Sequence, residues 1–297
     1  MNFGQLLTAM VTPFNSNDEI DFNAARNLIN YLIANGTDGL VVAGTTGESP
    51  ALTMEEKVEL FQFTVKVADG RVPVIAGTGS NNTRASIHLT KLAEKAGVDG
   101  IMLVAPYYNK PSQEGLYQHF KSIAESTTLP VMLYNIPGRS SVNISVETVV
   151  RLARIPNIVS IKDASGNLDA MAEIISQTPE EFSLYSGDDA LTLPVLSIGG
   201  AGVISVASHI IGNEMQMMID NFKKGNLQEA SLAHRNLLPI IKALFAAPSP
   251  SPVKAALNLN GIPVGGVRLP IVPLNEEEKS ALQQALKLLN IKKEAIS

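Results

Sequence analysis

Eight short apolar segments alternate with longer amphipathic segments over the first 208 residues of the chain. The short segments have the composition of strands, whereas the segments between them repeat apolar residues at helical spacing. Parallel strands joined through helices form a sheet covered by helices, and eight such units fit a (β/α)8 TIM barrel better than an open doubly wound sheet. The predicted strands are LLTAMVTPF (6–14), GLVVAGTTG (39–47), VPVIAGTG (72–79), GIMLVAPYY (100–108), PVMLYNIP (130–137), IVSIKDASG (158–166), FSLYSGDD (182–189) and GVISVAS (202–208).

Beyond residue 212 the sequence predicts helices and no further strand. The segment PSPSP (248–252) predicts a stiff turn between two of these helices. We therefore expect two parts, a barrel formed by residues 1–225 and a C-terminal helical region, residues 226–297, packed on the barrel.

Charge and composition argue against several kinds of function. The formal net charge is -5 and the Lys and Arg residues form no run, so binding to nucleic acid or to an anionic membrane is not expected. The absence of cysteine excludes disulfides and cysteine nucleophiles. No apolar run approaches the ~18 residues of a membrane helix, and Pro13 interrupts the segment where a signal helix would continue. We expect a cytoplasmic protein.

Lys162 directly follows the apolar segment 158–161, at a position where a cation is costly to bury. In a (β/α)8 barrel, functional residues lie at the carboxyl ends of the strands and in the loops that follow them. One interpretation is that the strand ends here and that the lysine side chain is solvated or ion-paired. The other is that the protein needs an amine that is neutral, and therefore nucleophilic, near pH 7.

Other strand ends bring possible partners for this amine to the same mouth of the barrel. Tyr134 lies toward the carboxyl end of the preceding predicted strand, Thr46 lies at the carboxyl end of the second, and Arg139 follows a Pro-Gly turn. Taken singly, a tyrosine or a threonine at a strand end is more often a residue at the edge of the core. Together with Lys162 they supply an amine nucleophile, a proton carrier and donors for a small carboxylate, which are the components of Schiff-base chemistry.

The remaining motifs predict neither a metal nor a cofactor. AGTGSNN (76–82) begins like a dinucleotide-binding fingerprint but lacks its third glycine. The histidines form no HxH or HExxH pair, and the acidic residues after the strands are interpreted as helix caps and turn residues. The histidines are His88, His119, His209 and His234, and the acidic residues are Glu48, Asp163, Asp188 and Asp189.

Five motifs, in order along the chain, resemble those of the dihydrodipicolinate synthase family. They are GTTGES (44–49), PYYNKPSQEGLYQHF (106–120), LYNIPGR (133–139), IKDASGN (161–167) and SGDD (186–189). The resemblance implies a cofactor-independent condensation of pyruvate with L-aspartate 4-semialdehyde to 4-hydroxy-tetrahydrodipicolinate, in lysine and diaminopimelate biosynthesis. It also implies a homotetramer built as a dimer of dimers.

The resemblance also implies the catalytic roles. Lys162 is expected to form an imine with pyruvate, and Tyr134 is expected to carry protons to and from it. Thr46 is expected to link Tyr134 to Tyr108, which in this family reaches in from the neighbouring subunit.

The resemblance assigns substrate contacts as well. The turn formed by Thr45 and Thr46 is expected to hold the pyruvate carboxylate, and Arg139 the carboxylate of the semialdehyde. The carbonyl groups of Gly187 and Ile204 are expected to line the site.

Two alternative functions remain. One is a lyase of N-acetylneuraminate or of 2-keto-3-deoxy-sugar acids, and the other is a non-catalytic metabolite sensor on the same fold. The Thr-Thr turn and Arg139 favour the synthase over the sugar-acid enzymes, because a fixed cation suits a short adduct with two carboxylates. The sensor is disfavoured because Lys162, Tyr134 and Thr46 are all present.

Lysine-sensitive members of the family bind the end product near the positions of Ser49, Asn81 and Tyr107, and their pocket also uses two histidines and a glutamate. At the three matching positions this chain has Met54, Lys57 and Ala85. Alanine cannot accept a hydrogen bond from an ammonium group, and a lysine repels a cationic ligand. We therefore expect no inhibition by physiological L-lysine.

Overall fold

The eight predicted strands close into a parallel barrel, so the predicted (β/α)8 TIM barrel is confirmed. The computed structural model describes residues 3–294. Each strand pairs with the next along the chain, and β8 closes the ring on β1, where Leu7 lies opposite Ile204. The strands are β1 Leu6–Ala9, β2 Gly39–Val42, β3 Val74–Gly77, β4 Gly100–Val104, β5 Val131–Asn135, β6 Ile158–Asp163, β7 Ser183–Ser186 and β8 Gly202–Ser205.

Helices follow the strands and surround the barrel. Many begin at a side-chain cap; Thr53 and Glu56, for example, form a capping box at the start of α2. The helices are α1 Phe22–Ala34, α2 Met54–Ala68, α3 Thr83–Ala96, α4 Gln113–Ala124, α5 Pro137–Ser140, α6 Val146–Leu152, α7 Leu168–Gln177, α8 Thr192–Ser197, α9 Ser208–Lys223, α10 Leu227–Leu244, α11 Ser251–Leu259 and α12 Glu276–Glu294.

The buried residues form two layers, because successive side chains of a strand point to opposite faces. Leu6 and Leu40 belong to the layer between the sheet and the helices. Leu7, Val41 and Met132 belong to a second cluster that fills the inside of the barrel. Since the interior is packed, a ligand has to approach Lys162 from the carboxyl ends of the strands.

The C-terminal helices α10, α11 and α12 contact one another, and α10 and α11 also contact α9. The turn predicted for PSPSP spans only residues 248–250, because Ser251 and Pro252 already begin α11. The division of the chain at residue 225 stays a prediction. Within residues 3–294, no helix is long and apolar enough to cross a membrane.

Candidate active site

An extra residue in β6 decides which way Lys162 faces. Two adjacent residues of β5 lie opposite Ile158 and Ser160, so Val159 is the inserted residue of a β-bulge. Ile158 packs toward the helices, and simple alternation from it would place Lys162 on that outer face. Because a shift of one residue exchanges the two faces of a strand, the bulge turns Lys162 into the barrel.

Lys162 and Tyr134 form the centre of the site. They lie opposite each other on β6 and β5, with 5% and 3% of their surfaces exposed. The lysine Nζ lies 4.3 Å from the centroid of the tyrosine ring, a position in which the ring face stabilises a cation. The interpretation of Lys162 as a solvated residue at a strand end is therefore wrong.

Gly187 lies against the lysine side chain. A Cβ atom at this position would be 3.1 Å from Cε of Lys162 and 2.7 Å from Cβ of Ala164. The first of these contacts is tighter than ordinary van der Waals contact, and the second would force a neighbour to move. Because glycine has no side chain, position 187 leaves room for the side chain of Lys162.

The turn that carries Thr45 and Thr46 follows β2 and is held by hydrogen bonds of its backbone. The N–H of Glu48 donates to the carbonyl of Thr45 at 3.1 Å, and the hydroxyl of Thr12 donates to the carbonyl of Gly47 at 2.7 Å. Thr46 is buried and Thr45 is half-buried. A turn of this kind can present backbone N–H groups to an anion such as a carboxylate.

Thr45, Tyr134 and Arg139 line one cleft of about 270 Å³. Arg139 is exposed on the short helix α5, where its guanidinium is available to pair with a carboxylate. The predicted site residues Thr46, Lys162, Gly187 and Ile204 lie outside the lining of this cleft as the structure describes it. Thr46 and Ile204 are buried near the ends of β2 and β8. The cleft therefore combines a mainly apolar wall with a few polar groups, as small-molecule sites do.

Tyr108 stands apart from the other predicted residues. Its side chain is 90% exposed and its φ angle is 73°, a left-handed conformation that bulky residues rarely adopt. The neighbouring Tyr107 lines the cleft instead. The structure of the single chain therefore does not bring Tyr108 together with Tyr134 and Thr46.

Glu48 takes the N-cap position before the short helical turn Ser49–Ala51, but its side chain has a different role from the predicted one. Glu48 makes no side-chain cap bond; its carboxylate accepts a hydrogen bond from Nζ of Lys254 at 2.7 Å, across a separation of 206 residues. Asp189 is more than the predicted cap or turn residue. Its buried carboxylate accepts hydrogen bonds from the hydroxyl of Ser205 and the N–H of Val206. Burial raises the pKa of Asp189 above its ordinary value, and these bonds oppose the rise.

The structural role predicted for the histidines is confirmed at His209. Its Nδ1 donates to the carbonyl of Val206 at 2.8 Å, and its Nε2 accepts from the N–H of Val11 at 3.2 Å. Burial lowers the pKa of His209 to about 4, so the ring is neutral at pH 7. Among residues 3–294, no group of three or more His, Asp or Glu side chains is placed to hold a metal ion.

Asp163 and Asp188 are turn residues, as predicted. Each accepts a hydrogen bond from the backbone N–H two residues later, at 2.8 Å. The N–H of Gly187 donates to the carbonyl of Asp163 at 2.7 Å, which ties the end of β7 to the end of β6 beside Lys162. These acidic residues therefore shape the mouth of the barrel.

A closed parallel barrel that buries a lysine at the end of its sixth strand, next to a tyrosine, has the groups typical of the class of enzymes that form a Schiff base with a carbonyl substrate. The chain matches the model of the Dihydrodipicolinate synthetase family over residues 2–289. It belongs to this family, and the resemblance of its motifs is confirmed.

The relatives of the chain are similar over nearly its full length. The 4-hydroxy-tetrahydrodipicolinate synthase 1 of Halalkalibacterium halodurans is 65% identical over 286 residues, 96% of this chain and 97% of the relative. A crystal structure of a dihydrodipicolinate synthase from Bacillus anthracis is 61% identical, with a TM-score of 0.96 over 97% of this chain and 98% of that one. The enzyme from Acinetobacter baumannii, solved in complex with pyruvate, is 41% identical, with a TM-score of 0.94 over 98% and 100% of the two chains.

Proposed function

We propose that this chain condenses pyruvate with L-aspartate 4-semialdehyde to form 4-hydroxy-tetrahydrodipicolinate for lysine biosynthesis, the activity for which its 65% identical relative is named. The observation that carries the proposal is the amine of Lys162, buried at the mouth of the barrel 4.3 Å from the ring centroid of Tyr134. A lysine amine placed beside a phenol in this way can attack a ketone, with the phenol as the proton carrier.

The first half of the reaction joins pyruvate to the enzyme. Nζ of Lys162 attacks C2 of pyruvate, and the carbinolamine loses water to give an imine, with Tyr134 delivering the proton that the leaving oxygen needs. The turn of Thr45 and Thr46 supplies hydrogen-bond donors for the pyruvate carboxylate. Loss of a proton from C3 then converts the imine into an enamine, whose C3 is the new nucleophile.

The second half forms the carbon–carbon bond and releases the product. C3 of the enamine attacks the aldehyde carbon of the semialdehyde, and the aldehyde oxygen becomes a hydroxyl. The amino group of this substrate then attacks the imine carbon, closes the ring and displaces Lys162. Arg139 pairs with the carboxylate of the semialdehyde, and the carbonyls of Gly187 and Ile204 face the adduct.

Tyr108 acts from a second copy of the chain in this proposal. Its exposed ring and its left-handed backbone are features of a residue whose contacts lie outside its own subunit. There it completes a proton relay through Thr46 to Tyr134. The dimer-of-dimers assembly and the cytoplasmic location belong to the same proposal.

The test is a comparison of substrates with one enzyme preparation. Initial rates are measured with pyruvate and L-aspartate 4-semialdehyde, and separately for cleavage of N-acetylneuraminate and of 2-keto-3-deoxygluconate, with Lys162→Ala as the control. We expect turnover only in the first reaction, and only with Lys162. Turnover of a sugar acid without condensation of the semialdehyde would refute the proposal.

A further inference from the structure

A buried ion pair lies directly behind the turn that carries Thr45 and Thr46. Glu48 follows this turn and Lys254 belongs to α11; their side chains are each 2% exposed, and Oε1 and Nζ are 2.7 Å apart. Lys254 also donates to the carbonyl of Gly266 at 2.6 Å. A buried ion pair adds little to stability compared with apolar residues of the same size, so its position needs another explanation.

The second carboxylate oxygen of Glu48 is held by the same part of the chain. The N–H of Arg268 donates to Oε2 at 2.8 Å, and one guanidinium nitrogen of Arg268 donates to the carbonyl of Ala51 at 2.9 Å. The guanidinium also forms two bonds with Glu56, at 2.6 and 2.9 Å. We call Glu48, Lys254 and Arg268 the turn anchor.

The backbone of the turn explains why it needs an anchor. Ala43 and Glu48, which flank it, have φ angles of 52° and 57°, a left-handed conformation that favours glycine. Such a conformation persists only where surrounding contacts hold it. Since Glu48 is itself one of the two residues, Lys254 and Arg268 hold the turn at a strained point.

We propose that the C-terminal region positions the substrate, because Lys254 and Arg268 hold Glu48 and thereby fix the N–H groups of Thr45 and Thr46 for the pyruvate carboxylate. The inference rests on the proposed function, in which this turn binds pyruvate. Lys254, Arg268 and Glu48 are positioning residues, since in this proposal they act on pyruvate only through the turn. Loss of the anchor weakens pyruvate binding and leaves the amine of Lys162 and the contact of Arg139 intact.

The first experiment uses Lys254→Met, which keeps the length of the side chain and removes its charge. We expect its KM for pyruvate to rise at least about tenfold, the effect of misplacing one charge-assisted hydrogen bond to a carboxylate. Its KM for the semialdehyde should stay within about twofold of the original value, because Arg139 lies on another loop. At saturating pyruvate, borohydride should still reduce an imine on Lys162.

Two further variants separate positioning from folding. Glu48→Gln keeps the shape of the side chain and an acceptor for the N–H of Arg268, and it should also raise the KM for pyruvate. When it is combined with Lys254→Met, the two increases in KM should not add, because both variants break the same contact. Arg151→Met is the matched control, since it removes an ion pair with Glu114 and a contact with the ring of Tyr117 far from the turn. It should change neither KM.

The outcomes distinguish the two proposals. If a folded Lys254→Met or Glu48→Gln variant binds pyruvate as the original enzyme does, or if both KM values rise together with a lower melting temperature, the positioning role is refuted. If the original enzyme forms no imine on Lys162 with pyruvate, the proposed function fails and the positioning role falls with it.

Discussion

Acid should weaken this fold between pH 6.5 and pH 4 because it contains a buried neutral histidine. Burial lowers the pKa of His209 to about 4, from an ordinary value of 6.5. In that range the unfolded chain binds a proton that the native protein excludes, so the free energy of unfolding falls as the pH falls. At about 1.4 kcal/mol per pH unit, the contribution of His209 to this loss is about 2 kcal/mol from pH 6.5 to pH 5 and about 3 kcal/mol by pH 4.

The contacts of His209 explain the sign. Nε2 accepts the N–H of Val11 and Nδ1 donates to the carbonyl of Val206, so these bonds join the chain after β1 to the chain after β8. A protonated ring donates from both nitrogens, and the N–H of Val11 would then face another donor. The native state therefore resists protonation.

The assay is urea denaturation at pH 7 and pH 5, at one protein concentration, for the original chain and for His209→Gln. A glutamine amide can make both hydrogen bonds without titrating. We expect the variant to lose about 2 kcal/mol less than the original chain between the two pH values. His88→Gln, at an exposed position, is the matched control and should change nothing. Equal pH dependence in the original chain and His209→Gln would show that protonation of His209 does not destabilise the fold.

Three further predictions concern the site. Gly187→Ala should lower kcat at least about tenfold in steady-state kinetics, because the added Cβ crowds Lys162; an unchanged kcat would show that the lysine tolerates the contact. Tyr108→Phe should reduce turnover ~10²–10⁴-fold, and hybrids with Lys162→Ala subunits should regain activity; verified hybrids that stay inactive would exclude a role in trans. L-Lysine should leave initial rates unchanged up to about 1 mM, and half-inhibition below that concentration would show a working lysine pocket.

The barrel could be predicted because its signals are local. Each strand and each helix has its own period and its own boundary residues, such as Thr53 and Glu56 at the start of α2. Eight repeats then leave few ways to bury a parallel sheet. The prediction that Lys162, Tyr134 and the Thr45 turn share one mouth follows from the same rule about strand ends.

The direction in which Lys162 points could not be predicted. It depends on the bulge at Val159, and a bulge becomes visible only when the pairing of β5 with β6 is known. Alternation along the apolar segment alone gives the wrong face.

The anchor behind the turn was missed for a related reason. Glu48 and Lys254 are separated by 206 residues, so neither periodicity nor motif spacing connects them. The acidic residue looked like a cap because a helical turn follows it. Its partner comes from a helix whose sequence suggests only packing, and the pairing of the two is a property of the tertiary structure.

In the proposed mechanism the amine of Lys162 forms the covalent intermediate. The most direct measurement is reduction with borohydride in the presence of pyruvate, followed by mass spectrometry of the peptides. We expect one adduct of pyruvate per chain, located on Lys162, and none on the buried Lys254 or in the Lys162→Ala variant. An adduct on another residue, or no adduct in a preparation that turns over substrate, would contradict this mechanism.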